Sequence, residues 1–168
     1  MSLWIPIHRG VIRVRERVRT TKDVWLGLRM LAWASALPAL KHMVALERLV
    51  RLVQRNGAGR LRDRIREDQI ITFARWACRF TRVSRDGNCL ERGLLAYRFL
   101  GAANAAPSLV VGVARSSGGN IRGHAWVLVD GQPAGESPAS LADFATVVTF
   151  DAKGAPISGK DADRSSTR

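Results

Sequence analysis

Polar and apolar residues alternate at the start of this chain, and helical spacing takes over soon after. The first 22 residues interleave Arg with Val and Ile, as in "RGVIRVRERVR", a period of two that fits a short strand or a basic arm. Thr20, Thr21, Lys22 and Asp23 then offer N-cap candidates for the stretch "VWLGLRMLAWASALPALKHMVALERLVRLVQ". Val24 to Leu40 is apolar almost all round, but Arg29 interrupts it and it falls short of the roughly 20 residues a spanning helix needs. Pro38 predicts a break, hence two helices, the second carrying Leu40, Val44, Leu46, Leu49, Val50 and Val53 at helical spacing. The turn-forming "RNGAG" at 55–59 separates these from a third helical stretch over 61–82, where Ile65, Ile70, Phe73, Trp76, Ala77 and Phe80 recur periodically.

A fourth helix is predicted from about residue 89 to 100, ended by Gly101. "SLVVGVAR" then reads as a strand, "SSGGN" as a hairpin-type turn and "IRGHAWVLVD" as the partner strand. Asp130-Gly131 is a strong turn signal and predicts a short return strand through about Glu136. "ATVVTF", residues 145–150, is the last strand, and the polar tail from residue 151 is expected to be disordered. Helices followed by an antiparallel sheet make an α+β arrangement.

At 168 residues and 46% apolar content the chain has the size of one domain with a real core. Its net charge of +13 sits entirely in residues 1–98, with 21 Lys/Arg against 8 Asp/Glu, whereas residues 99–168 carry 6 of each. Such a field attracts nucleic acid, anionic lipid or acidic peptide. No nucleic-acid motif and no basic–aromatic strand platform accompanies it, so nucleic acid is not the expected partner. A membrane surface engaged through residues 24–54 is a second possibility, since the helix there is basic and amphipathic. Cys78 and Cys89 are too few for a disulfide framework, and His8, His42 and His124 are too scattered for a zinc site. No cofactor is expected. Free thiols and the absence of a secretory n-region and h-region at the N-terminus lead to the expectation of a cytoplasmic protein.

The position of one thiol is more informative than the number of thiols. Asp86-Gly87-Asn88 makes a tight entry to the fourth helix, with Asn88 the natural N-cap and Glu91 the reciprocal member of a capping box. Cys89 then occupies the first helical position, where unpaired backbone N–H groups and the positive end of the helix dipole favour a negative sulfur. Cys78, inside a helix with no turn before it, reads as a structural thiol. His124 begins "HAWVLV" on a predicted strand, and a thiol with an imidazole on a neighbouring element is the minimum for nucleophilic acyl transfer. An acid must orient the imidazole. Asp130 lies six residues along the same strand, roughly 20 Å away, and belongs to the turn. Glu136 returns beside His124, but the face it presents depends on the loop. A plain two-residue loop pairs residue 124 with 137 and turns Glu136 to the wrong face, whereas a three-residue loop or a bulge puts it on the same face. Trp126, two residues beyond His124, lines either a substrate groove or the core.

The spaced combination "GNCLERGLLAYRFLG", "SLVVGVA" and "GHAWVLVDG" resembles the transglutaminase-like cysteine peptidases of lasso peptide biosynthesis, in their stand-alone form, over roughly residues 60–145. The resemblance implies a transglutaminase/papain-like core at 60–150, with a Cys-bearing helix packed on an antiparallel sheet, after a basic arm and helical segment at 1–59 and before a tail at 151–168. It implies a peptidase that cuts the leader from a precursor peptide, a separate leader-recognition protein and an ATP-dependent lasso cyclase as partners, and no metal. By position Cys89 matches the nucleophile and His124 the base. Glu136 falls where the family commonly has an acid, often Asp, while Leu128 stands where the family often has Glu. Two other readings stay open on sequence: an acyltransferase with the same Cys, His and acid, and a non-catalytic basic protein that binds a membrane, nucleic acid or a partner.

Overall fold

A computed structural model describes residues 21–57, 61–81, 88–115 and 119–157. Residues 1–20 of the arm read over 1–22, the Asp86-Gly87 turn, most of the "SSGGN" turn and the tail from 158 lie outside the described residues, while Thr21 and Lys22 are helical. Among the described residues, four helices precede the sheet: α1 (Thr21–Met43), α2 (Leu46–Val53), α3 (Arg64–Phe80) and α4 (Cys89–Ala102). The strands are β1 (Ser108–Arg115), β2 (Ile121–Val129), β3 (Gln132–Pro133), β4 (Ala145–Phe150) and β5 (Pro156–Ile157), with a short helix α5 (Pro138–Leu141) between β3 and β4. They form one antiparallel sheet in the order β3-β2-β1-β4-β5. This is the α+β architecture that the order of elements predicts.

Pro38 does not divide the first helix; α1 runs through it to Met43, and the break falls at Val44-Ala45. A proline inside a helix forfeits one hydrogen bond and costs about 3 kcal/mol. Leu26, Met30, Ala34 and Leu37 form a buried stripe along α1 that continues up to the proline, and each large side chain buried contributes about 1.5–3 kcal/mol. Packing outweighs local propensity here. Helix α3 starts where Asp63 accepts the backbone N–H of Ile65 and Arg66 at 3.0 and 3.2 Å. Its buried face is Ile70, Phe73, Ala74, Ala77 and Cys78, while Ile65 and Phe80 are exposed.

Helix α4 is buried on nearly every side, because α1, α2 and α3 cover one flank and the sheet covers the other. Leu94, Leu95, Tyr97, Phe99 and Leu100 therefore share one core with Met30, Leu49, Phe73, Leu109, Val127 and Phe150. The first two helices thus contribute side chains to the same core as the sheet. A smaller cluster of Val110, Trp126 and Leu141, with Leu128 and Phe144, covers the other face of the sheet. Residues 151–157, expected as the start of a disordered tail, form a turn and β5. Asp151 accepts the N–H groups of Lys153 and Ala155 through its side chain, and the Tyr97 hydroxyl donates to its carbonyl at 2.5 Å.

Two buried acids of this core are held neutral. Burial, with the charge of Glu91 adding to it, pushes the Cys78 thiol from 9.0 up to about 12. Burial, followed by the charge of Asp151, pushes the Tyr97 phenol from 10.0 up to about 12. Raised folded values mean that the folded state keeps these protons where the unfolded chain has lost them. The resulting stability is whole below pH 9.0 and drains away as pH rises toward about 12. Thermal melts across that range should show a steady decline, and Cys78→Ala should make the decline shallower whatever its stability at neutral pH. An unchanged slope in Cys78→Ala would remove the buried thiol as a contributor.

Candidate active site

Cys89 is the first residue of α4, as the turn before it predicts, but the cap is not the expected one. Asn88 stands at the N-cap position and makes no side-chain cap hydrogen bond; its amide donates instead to the Cys78 carbonyl at the end of α3. Glu91 does not complete a capping box either. It is 5% exposed and pairs with Lys41 of α1 at 2.5 Å. The consequence matters for chemistry: the Asn88 side chain leaves the N–H groups at the start of the thiol-bearing helix uncapped. Asn88 and Glu91 tie that helix start to α3 and α1, and so fix where the sulfur sits.

The Cys89 Sγ lies 4.0 Å from the carbonyl oxygen of Gly123 on β2, the residue before His124. The two thiols thus differ sharply in setting. Cys78 is buried at 2% exposure, with its pKa pushed up to about 12, whereas Cys89 is half-buried at a helix terminus. Strand β2 alternates: Ala125 and Val127 turn toward the helices, and His124 and Trp126 turn away.

The β2–β3 hairpin answers the register question in an unforeseen way. The loop is the plain two-residue one, with Asp130 at φ 53° and Gly131 at φ 75°, pairing Val129 with Gln132 and Leu128 with Pro133. Continued as a ladder, that register would carry Glu136 to the wrong face. The ladder stops instead after the Ala134 N–H donates to the Val127 carbonyl at 2.8 Å. Gly135, at φ 81°, then turns the chain, and a Cβ at this position would run into Ile71 of α3. Glu136 leaves the strand and its Oε2 meets His124 Nε2 at 2.7 Å. No three-residue loop or bulge is needed.

Glu136 has a second partner that sequence reasoning did not assign. Arg92 Nη2 donates to its Oε1 at 2.6 Å, with the carboxylate only 16% exposed. Arg92 lies three residues after Cys89, on the same face of α4, and that spacing was the available signal. One carboxylate therefore spans the thiol-bearing helix and the imidazole-bearing strand. Trp126 is 7% exposed. It packs with Val110 and Leu141, while the His124 ring stacks on it at 5.9 Å and meets Phe144 at 5.1 Å. Gly112 makes room for this, since a Cβ there would lie 2.8 Å from the Trp126 ring. The two aromatic rings hold the imidazole plane while Glu136 holds its Nε2 edge.

Asp130, set aside as an orienting acid, pairs with Arg62 at 2.8 Å, and Arg62 holds its carboxyl below the ordinary range. Arg62 also grips Glu67, so it fastens the hairpin tip to the start of α3. An open groove of about 550 Å³ runs between these elements, past Asp130, Pro133 and Ile71 to Gly135, next to Glu136. Among the described residues, no three His, Cys, Asp or Glu side chains gather as a metal site, and no helix is long and apolar enough to cross a membrane.

A thiol at a helix start, beside the strand that carries an imidazole held by a carboxylate, can carry out acyl transfer through sulfur. A family model described as the transglutaminase-like superfamily matches residues 25–149, about three quarters of the chain, with most of α1 and all of α2 included. No single curated protein and no solved structure matches it.

Proposed function

Because this chain belongs to the transglutaminase-like superfamily, we propose that it is a cysteine peptidase that removes the leader from a ribosomally made lasso precursor peptide. The observation that carries the proposal is the 2.7 Å contact between His124 Nε2 and Glu136 Oε2, with the Cys89 sulfur at the neighbouring residue of the same strand. A carboxylate on Nε2 fixes the tautomer, so that Nδ1 is the nitrogen left to take a thiol proton. The motifs "GNCLERG", "SLVVGVA" and "GHAWVLVDG" support the choice of substrate class, since they resemble lasso leader peptidases.

The chemistry follows in two halves. His124 accepts the proton of the Cys89 thiol, and the sulfur attacks the carbonyl carbon of the last leader residue. The oxygen of that carbonyl becomes an oxyanion at the start of α4, beside the backbone N–H of Cys89. The C–N bond then breaks, His124 gives its proton to the departing amine of the core peptide, and the leader remains as a thioester on Cys89. His124 next takes a proton from water, whose oxygen attacks the thioester. The leader departs with a new carboxylate and the thiol is restored. A separate leader-recognition protein would deliver the precursor, and an ATP-dependent cyclase would consume the freed core.

The same thioester can pass its acyl group to an amine, which is the transferase reading the superfamily also covers. Incubation with precursor and recognition protein, with and without a primary amine, separates the two by mass spectrometry. A leader ending in a free carboxylate at every amine concentration is the expected result. A leader that accumulates as the amide in preference to the acid would replace the peptidase with an acyltransferase. An intact precursor would overturn the lasso assignment.

A further inference from the structure

Among the described residues, one buried side-chain nitrogen has no hydrogen-bond partner: Nε of Arg98. Buried polar groups are nearly always paired, and an orphan marks a place where a ligand, ion or water completes the set. Arg98 lies nine residues after Cys89, about 14 Å along α4 and so well away from the thiol. Its Nη1 donates to the Val53 carbonyl at 2.9 Å, and its guanidinium lies 3.9 Å over the ring of Trp33.

Two further guanidiniums converge on it. Arg29, one turn before Trp33 on α1, sits 5.9 Å over the ring of Phe99, the residue after Arg98. Arg55 follows Val53 by two residues, and its backbone lies so close to α4 that a Cβ on Gly101 would collide with its carbonyl. After burial itself, the charges of Arg55 and Arg29 are what lower the pKa of Arg98. The ion pairs of the described residues join Lys41, Arg62, Arg64, Arg66, Arg92 and His124 to acids, and none of them includes Arg29, Arg55 or Arg98. Two aromatic faces and a carbonyl thus hold Arg29 and Arg98, Arg55 adds a third like charge, and among the described residues no ion pair with a carboxylate offsets them.

We propose that Arg29, Arg55 and Arg98 form a binding site for a phosphate group. Guanidinium forks match phosphate oxygens in pairs, and Nε of Arg98 is the fork nitrogen that lacks an acceptor. A singly charged carboxylate would offset only one of the three cations, whereas a phosphate monoester near neutral pH carries close to two charges and three acceptor oxygens. Arg29 and Arg55 are exposed and able to close over the ligand from either side. A free phosphate compound and a phospholipid headgroup present the same chemistry.

The test uses the full chain and three single substitutions of equal charge change: Arg29→Gln, Arg55→Gln and, as control, Arg48→Gln. Thermal melts are titrated with inorganic phosphate against chloride at matched ionic strength. Sedimentation is run with phosphatidylcholine vesicles with and without phosphatidic acid. Saturable stabilisation by phosphate, weakened at least about tenfold in apparent affinity by Arg29→Gln and by Arg55→Gln but under twofold by Arg48→Gln, identifies a free phosphate as sufficient. Retention on phosphatidic acid vesicles with the same variant pattern, and no response to free phosphate, identifies the headgroup. Equal responses to phosphate and chloride, or equal losses in all three variants, would show only diffuse charge and would overturn the site. Both assays proceed without peptide substrate, so their outcome is independent of the peptidase proposal.

Discussion

Cys89→Ala should abolish release of the leader, with a loss of about 10,000-fold or more, while Cys78→Ala should keep kcat within about threefold of the unmodified protein. The contrast rests on two different environments. Cys78 is buried at 2% exposure and its proton is held to about pH 12, so at neutral pH it is neither accessible nor ionised. Cys89 opens α4, where Asn88 makes no side-chain cap, and its sulfur approaches the strand that carries His124. Without the sulfur there is no thioester, and what is left is positioning and whatever the helix start contributes to the oxyanion. Alkylation provides a readout independent of turnover. Iodoacetamide should modify Cys89 in the folded protein and reach Cys78 only after denaturation. Cleavage that persists in Cys89→Ala, or a folded protein alkylated first at Cys78, would show that the wrong thiol has been assigned.

Glu136→Gln should lower kcat by about 1,000- to 10,000-fold with a smaller change in KM, the range seen when the orienting acid of a nucleophile–histidine pair is neutralised. An amide keeps the size of the side chain but presents its two oxygens' worth of contacts as one oxygen and one NH2. If the oxygen stays with Arg92, the NH2 faces His124 Nε2 and selects the wrong tautomer. If the oxygen stays with His124, the NH2 faces a guanidinium that can only donate. Either arrangement loses one of two contacts of 2.6 and 2.7 Å. Glu136→Asp is the informative companion, because it keeps the charge and gives up a methylene. A kcat for Glu136→Gln within tenfold of the parent would remove the carboxylate from the orienting role.

The helical core and the sheet were legible because apolar residues recur at the right periods. "SLVVGVAR", "IRGHAWVLV" and "ATVVTF" became strands, and the start of α4 fell at Cys89. Legibility failed where tertiary packing overrode a local rule. Pro38 reads as a break, and only the buried stripe of Leu26, Met30, Ala34 and Leu37 explains why α1 ignores it. Asn88 and Glu91 spell out a capping box, yet each has a better partner on another helix, in the Cys78 carbonyl and in Lys41, which no local window contains. Glu136 was reached for an incomplete reason. Pattern logic treats a strand as extended to its end, and the left-handed turn at Gly135 is what delivers the acid to His124. Arg92 and Phe144 came into the site only through contacts distant in sequence.

The hairpin end that carries Glu136 is also among the thinnest parts of the fold. β3 joins the sheet through two residue pairs, whereas α4 is enclosed by three helices and the sheet. Local opening requires little free energy where few apolar contacts must be given up, and approaches the global value in a buried helix. The sulfur is thus anchored to the part of the molecule that opens last, and the acid to a part that opens early. For the proposed peptidase, the closing of that two-pair hairpin, with Arg92 and Gly135 as its latch, would then govern the competent fraction more than the stability of the domain as a whole does.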